Sequence, residues 1–243
     1  MTATPPSPVI PSEVVIAIGQ AHVRLLDATA PLSDAQVAAP SRLPGWSRGH
    51  VLAHLAGLAA AVSRQVEHAR RGEQVDLYDG GQPARDAAIE AGASAPAAAH
   101  RRALAGATER IEASLAGLSA TDWQRPVRYR DGVVLDLAAA WWREVEIHLT
   151  DLDLGASGGG WSGVFCDQLT DFLAERVPAG TRLVLEAPGG WSRVLGAGTA
   201  LRVAGERADL VGWLAGREPT EPLRVDAGAA LPVLGPWPAA HKR

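Results

Sequence analysis

The chain is poor in cysteine and in every aromatic except tryptophan: its 243 residues include one Cys, one Met, two Tyr and two Phe. The lone Cys166 excludes an internal disulfide. Stability must therefore come from packing or a bound ion, and this cysteine usage fits a reducing cytoplasm. Neither sign of charge dominates. Lys and Arg number 23 against 27 Asp and Glu, a net charge of -4 without a long run of either sign, which argues against nucleic acid as a partner. No segment is apolar for long enough to span a bilayer, so no membrane partner is expected. The opening Met1-Thr-Ala-Thr-Pro-Pro-Ser-Pro has no basic residue and no continuous apolar stretch, and reads as neither signal peptide nor transit peptide. A cytoplasmic location fits these absences; a monomer or weak homo-oligomer is expected, which the composition does not decide.

What the sequence does carry is helical periodicity broken by glycine. After a Pro-rich tail, Ser12 to Ala30 holds an apolar stripe through Val14, Ile18 and Leu25. Ser47 then suits an N-cap for a helix running to about Arg71, with Val51, Leu52, Leu55 and Leu58 on one side. A long connection follows, with a short helix fitting Ala84 to Ala93 inside it; connections of this length often carry function. Two further helices fit Ala97 to Leu118 and Leu135 to Leu154, and four substantial helices imply a bundle. Gly155-Ala-Ser-Gly-Gly-Gly reads as a linker, placing one domain at residues 1–155 and a second at 161–243.

The second domain reads as a helix over Val164 to Val177, strands at Arg182 to Glu186, Ser192 to Leu195 and Ala200 to Val203, and a closing helix at Arg207 to Leu214. The fold class is thus α+β, a helical bundle followed by a small mixed α/β domain. Trp161, Trp191, Trp213 and Trp237 are expected to pack its core or the domain interface.

Glu144 and His148 are the most informative pair. Four residues apart, they share one helix face and can share one metal ion. Trp141, Val145 and Leu152 make that face apolar, where an unpaired carboxylate is costly and coordination removes the cost. Asp151, three residues beyond His148, can accept a ring N–H and so fix the tautomer of the ligating imidazole. A second source of histidine lies at His50 and His54, again four apart, and spacing does not choose between them. His54 sits deeper in its helix and is favoured as the ligand; His50 lies in the first turn. Two histidines and one carboxylate leave a position open, the pattern of a catalytic zinc site.

Other residues read more plainly. Arg143, Glu146 and Asp153 look like a solvated face. Cys166 lacks a neighbouring histidine and reads as a buried structural thiol, not a nucleophile. Arg85, in the long connection, can clamp a substrate carboxylate if that segment closes over the site.

Pro44-Gly-Trp-Ser-Arg-Gly-His-Val-Leu-Ala-His-Leu-Ala, Arg143-Glu-Val-Glu-Ile-His-Leu-Thr-Asp-Leu and the fainter Pro83-Ala-Arg-Asp-Ala-Ala-Ile together resemble the mycothiol-dependent maleylpyruvate isomerase family, within the DinB/YfiT-like metal-bundle superfamily. The likeness runs over nearly the whole chain. It implies a DinB-like four-helix N-terminal domain with zinc on His54, Glu144 and His148, and Arg85 as an anion contact. It implies mycothiol as the low-molecular-weight thiol: addition to the cis double bond of maleylpyruvate, rotation, and expulsion give fumarylpyruvate with no net redox change and no protein nucleophile. Glu146 and Thr150 flank the ligands where relatives vary, which bears on the substrate. Two rivals are a mycothiol S-transferase acting on another electrophile and a non-catalytic regulatory module in which His50 fills the fourth position.

Overall fold

The computed structural model describes Thr4 and residues 11–155, 160–226 and 228–238. The Pro-rich tail, apart from Thr4, and residues 156–159 of the expected linker lie outside the described residues. The chain forms two compact units, one spanning Val9–Gly155 and the other Ala156–Ala239 together with the segment that includes Thr4.

The first unit holds α1 (Pro11–Thr29), α2 (Asp34–Ala38), α3 (Arg48–Arg70), α4 (Gly81–Ala93), α5 (Ala97–Leu115), α6 (Ala120–Trp123) and α7 (Val134–Asp151). The bundle is made of α1, α3, α5 and α7, with α1 and α3 each packing against both α5 and α7. Each helix turns an apolar stripe inward: Val14, Ile18 and Leu25 from α1, Leu52, Leu55, Ala59 and Val62 from α3, and Leu104, Ala107 and Ile111 from α5. Ser33, Ser47 and Ser119 cap α2, α3 and α6, each hydroxyl accepting a backbone N–H three residues on. Pro96 leaves α5 without such a cap, and Asp34 replaces it by accepting the Ala97 N–H at 2.7 Å. The α3–α4 crossing is close at Gly49, where a Cβ would lie 2.0 Å from the Ala93 carbonyl oxygen.

Helix α7 is buried along almost its whole length. This corrects the solvated face expected of Arg143 and Glu146, which are 6% and 4% exposed. Glu146 accepts from Arg24 of α1 and from Trp142 Nε1, and Arg143 donates to the Tyr129 hydroxyl at 3.4 Å. A helix enclosed by its neighbours has no wet side, and charges survive there only when paired. Asp153, past the helix end, is exposed and pairs with Arg42 at 3.0 Å.

The second unit holds α8 (Gly163–Leu173), β1 (Gly180–Glu186), β2 (Ser192–Gly196), β3 (Gly198–Ala204), α9 (Arg207–Leu214) and β4 (Arg224–Val225). Helix α8 stops at Leu173, short of the expected Val177, because Ala174–Arg176 tighten into a 3-10 turn. The sheet order is β2-β1-β3-β4, with β1 antiparallel to β2 and parallel to β3, and β4 antiparallel to β3. Phe165, Leu169, Leu183, Leu185, Val203 and Leu210 are fully buried in this unit. Cys166 is buried too, whereas Trp237 is exposed and lies under the Arg176 and Arg217 guanidinium groups. The fold is α+β, as the sequence pattern indicates. No helix among the described residues is long and apolar enough to cross a membrane.

Candidate metal centre

The close packing of α3 on α7 brings His54 opposite Glu144 and His148. Glu144 Oε2 lies 3.0 Å from His54 Nε2 and 3.2 Å from His148 Nε2. The two imidazole rings stand nearly perpendicular, their centroids 4.9 Å apart. One ligand atom from each of the three residues falls within 4.8 Å of the others, the single such group among the described residues that can hold a metal ion. Both histidines are nearly buried, while the Glu144 side chain keeps 32% exposure and marks the open side of the cluster.

Hydrogen bonding fixes the ring orientations. His148 Nδ1 lies 2.9 Å from the buried Asp151 Oδ2, one turn along the same helix. Burial alone depresses the His148 pKa, but hydrogen bonds to Asp151 and Glu144 outweigh it and push it up to about 9. In the metal-free state both His148 nitrogens are therefore protonated and donate to carboxylates. Burial raises the Glu144 carboxyl, yet the two histidines override it and hold it well below the usual carboxylate range. His54 is lowered, chiefly by desolvation. A proton on His148 Nε2 thus stands where a cation would otherwise balance Glu144.

His50 takes no part in the cluster. Its Nδ1 meets the Ser47 backbone N–H at 3.1 Å and the Ser47 hydroxyl at 2.7 Å, and its Nε2 faces Glu90. The residue completes the cap of α3, and its ring stacks against Trp46.

Arg85 lies on α4, and its Nη2 donates to His54 Nδ1 at 3.1 Å. Its Nη1 pairs with Asp86 at 2.8 Å, and the guanidinium sits over the Trp46 ring, 5.8 Å from the centroid. A cavity of about 180 Å³ opens here, walled by His54, Leu58, Tyr78, Asp79, Arg85 and Ile89. The Tyr78 hydroxyl is hydrogen-bonded to Arg85, and burial raises its pKa, so it stays un-ionised at neutral pH. Periodicity did not single out the wall residues Tyr78 and Asp79, nor Trp46, which lies against Arg85. Trp46 stood inside the Pro-Gly-Trp-Ser motif, whereas the only signal for Tyr78 and Asp79 was the length of their connection.

Comparison with known proteins bears on this geometry. Residues 18–153 match the family described as the mycothiol maleylpyruvate isomerase N-terminal domain. Among solved structures, the chain is similar to a mycothiol-dependent maleylpyruvate isomerase with 23% identity and a TM-score of 0.82, over 98% of this chain and 100% of the other. A histidine-to-alanine mutant of a mycothiol-dependent maleylpyruvate isomerase matches with 22% identity and the same TM-score and coverage. No curated protein matches.

Proposed function

Since the chain belongs to the mycothiol maleylpyruvate isomerase N-terminal domain family, we propose that it is a zinc-holding, mycothiol-dependent isomerase that converts maleylpyruvate to fumarylpyruvate. The observation that carries this reading is the convergence of His54, Glu144 and His148 within 4.8 Å beside a cavity that also contains Arg85. Two imidazole nitrogens and a carboxylate oxygen suit zinc, whose tetrahedral bonds of about 2.0–2.2 Å set neighbouring donors ~3.3 Å apart. The 3.0 and 3.2 Å separations about Glu144 fit that spacing with small side-chain adjustments.

When bound, the cation supplies a positive centre that keeps a coordinating thiol ionised near neutral pH. The chain's own groups do the rest. Asp151 accepts the Nδ1–H hydrogen bond of His148 and holds the proton on that nitrogen, which leaves Nε2 to ligate once its own proton has gone. Arg85 presents its planar fork to a substrate carboxylate, with Trp46 stacked beneath to hold its plane. Tyr78 adds a neutral donor beside it. Leu58 and Ile89 give the cavity an apolar wall that limits water around the reacting double bond. No side chain acts as nucleophile, and Cys166 is buried within the second unit.

With this reading go a metal-binding domain at residues 1–155, a smaller domain at 161–243, and a cytoplasmic location, where low-molecular-weight thiols stay reduced. The test is turnover of maleylpyruvate by the zinc-loaded protein with and without mycothiol. Isomerisation that needs both is expected. Activity that persists after metal stripping or without thiol contradicts the reading, and a lasting thioether found by mass spectrometry makes the protein an S-transferase instead.

A further inference from the structure

The connection from α3 to α4 is fastened along its length. Gln65 Nε2 donates to the Val75 carbonyl at 2.9 Å, Arg64 Nη2 to the carbonyls of Asp76 and Leu77, and Arg64 Nη1 pairs with Asp79 at 2.8 Å. Against this segment lies a second cavity of about 520 Å³, lined by Arg64, Gln74, Asp76, Tyr78, Asp79 and Arg128. Tyr78 and Asp79 wall both this cavity and the smaller one that reaches His54 and Arg85. Its volume falls within the roughly 300–1,000 Å³ of ordinary small-molecule sites.

The charges of this basin choose among ligands. Arg64 is matched by Asp79, and Arg128 Nε lies 4.0 Å from Asp76 Oδ1, so two cations and two anions cancel. A neutralised basin gives an anion no advantage, which disfavours the substrate's carboxylates as its occupant. Two guanidinium donors and two carboxylate acceptors, beside the Gln74 amide, suit a ligand covered in hydroxyls, because each hydroxyl both donates and accepts. Gly80 and Gly81, at φ of 76° and 67°, add no side chain to the rim.

We propose that this basin binds the glucosaminyl-inositol part of mycothiol, while the acetylcysteine arm passes Tyr78 towards His54. The inference rests on the mycothiol-dependent reading above. Asp76 and Arg128 are the test positions, since their side chains are 74% and 57% exposed and their loss leaves the bundle core intact. The experiment titrates S-methyl mycothiol into zinc-loaded wild type and Asp76→Ala/Arg128→Ala by calorimetry, and compares kcat/KM with mycothiol and with N-acetylcysteine, which lacks both rings. The expected result is affinity about tenfold weaker in the variant, and a preference for mycothiol over N-acetylcysteine reduced by about the same factor. Unchanged affinity and preference overturn the basin assignment while leaving the isomerase reading standing. A wild-type protein without mycothiol-dependent turnover overturns both.

Discussion

Arg85 donates through Nη2 to His54 Nδ1 at 3.1 Å, and this bond sets the tautomer of the ring. With Nδ1 accepting, the neutral imidazole carries its proton on Nε2 and donates it to Glu144. A cation on Nε2 shifts that proton to Nδ1, where it faces a guanidinium donor. Two donors cannot share the contact, so metal uptake would release Arg85 towards the cavity. Arg85→Ala is therefore expected to bind zinc at least as tightly as wild type in a chelator competition. Its KM for maleylpyruvate should rise roughly tenfold or more, the usual scale for losing a charge-assisted hydrogen bond. An unchanged KM removes Arg85 from substrate binding.

The two candidate histidines of α3 separate cleanly in their contacts. His54→Ala is expected to lose most bound metal, whereas His50→Ala keeps it and loses only its share of the helix cap. Metal analysis of the dialysed proteins decides, and the reverse pattern moves the site to the helix terminus.

The proton on His148 gives metal binding a pH dependence of known sign. Its folded pKa of about 9 lies above the ordinary 6.5. In metal-free protein this group therefore adds stability that is full below the ordinary pKa and is lost as pH rises through about 9. Zinc bound at Nε2 would displace the same proton. Apparent zinc affinity should therefore climb with pH, by up to about tenfold per unit, and level off above the folded pKa. Zinc competition titrations across the neutral to mildly alkaline range check this, and a flat profile contradicts it.

Asp151 acts through His148. Asp151→Asn keeps the shape but removes the charge that holds the ring, and an expected loss of about 10–100-fold in zinc affinity follows. The metal-free variant should also show a lower His148 pKa by NMR, a readout that a purely structural role would not move.

Much of this was legible in the chain, and the failures have physical causes. The long helices announced themselves through apolar periodicity, and the spacing of Glu144 and His148 placed both on one face. The choice of His54 over His50 was also readable, because His50 stands three residues after the Ser47 N-cap, the position that answers the cap. Arg143 and Glu146 misled because charge was taken as exposure on a helix whose partners enclose it. Helices α2 and α6 are too short to show a period and are held by the Ser33 and Ser119 caps. Tyr78 and Asp79 reach the site through contacts made by Arg64 and by Gln65 to the connection, and no local pattern encodes those.

Packing at Gly49 gives a stability test. Alanine is normally favoured over glycine inside a helix by about 0.5–1 kcal/mol. At Gly49 its Cβ would meet the Ala93 oxygen at 2.0 Å, whereas Gly19 on α1 has nothing within 4 Å. Gly49→Ala is expected to lower stability by about 1–3 kcal/mol through overpacking of α4, while Gly19→Ala raises it slightly. Thermal unfolding of the pair should show shifts of opposite sign.

The most direct probe of the metal centre is zinc X-ray absorption on the loaded protein, recorded before and after adding mycothiol. Before addition, a shell of nitrogen and oxygen from His54, Glu144 and His148 is expected, and afterwards one sulfur at about 2.3 Å should join it. A shell unaltered by the thiol, or one retained when His54 and His148 are replaced, contradicts a cation held by these side chains for thiol chemistry.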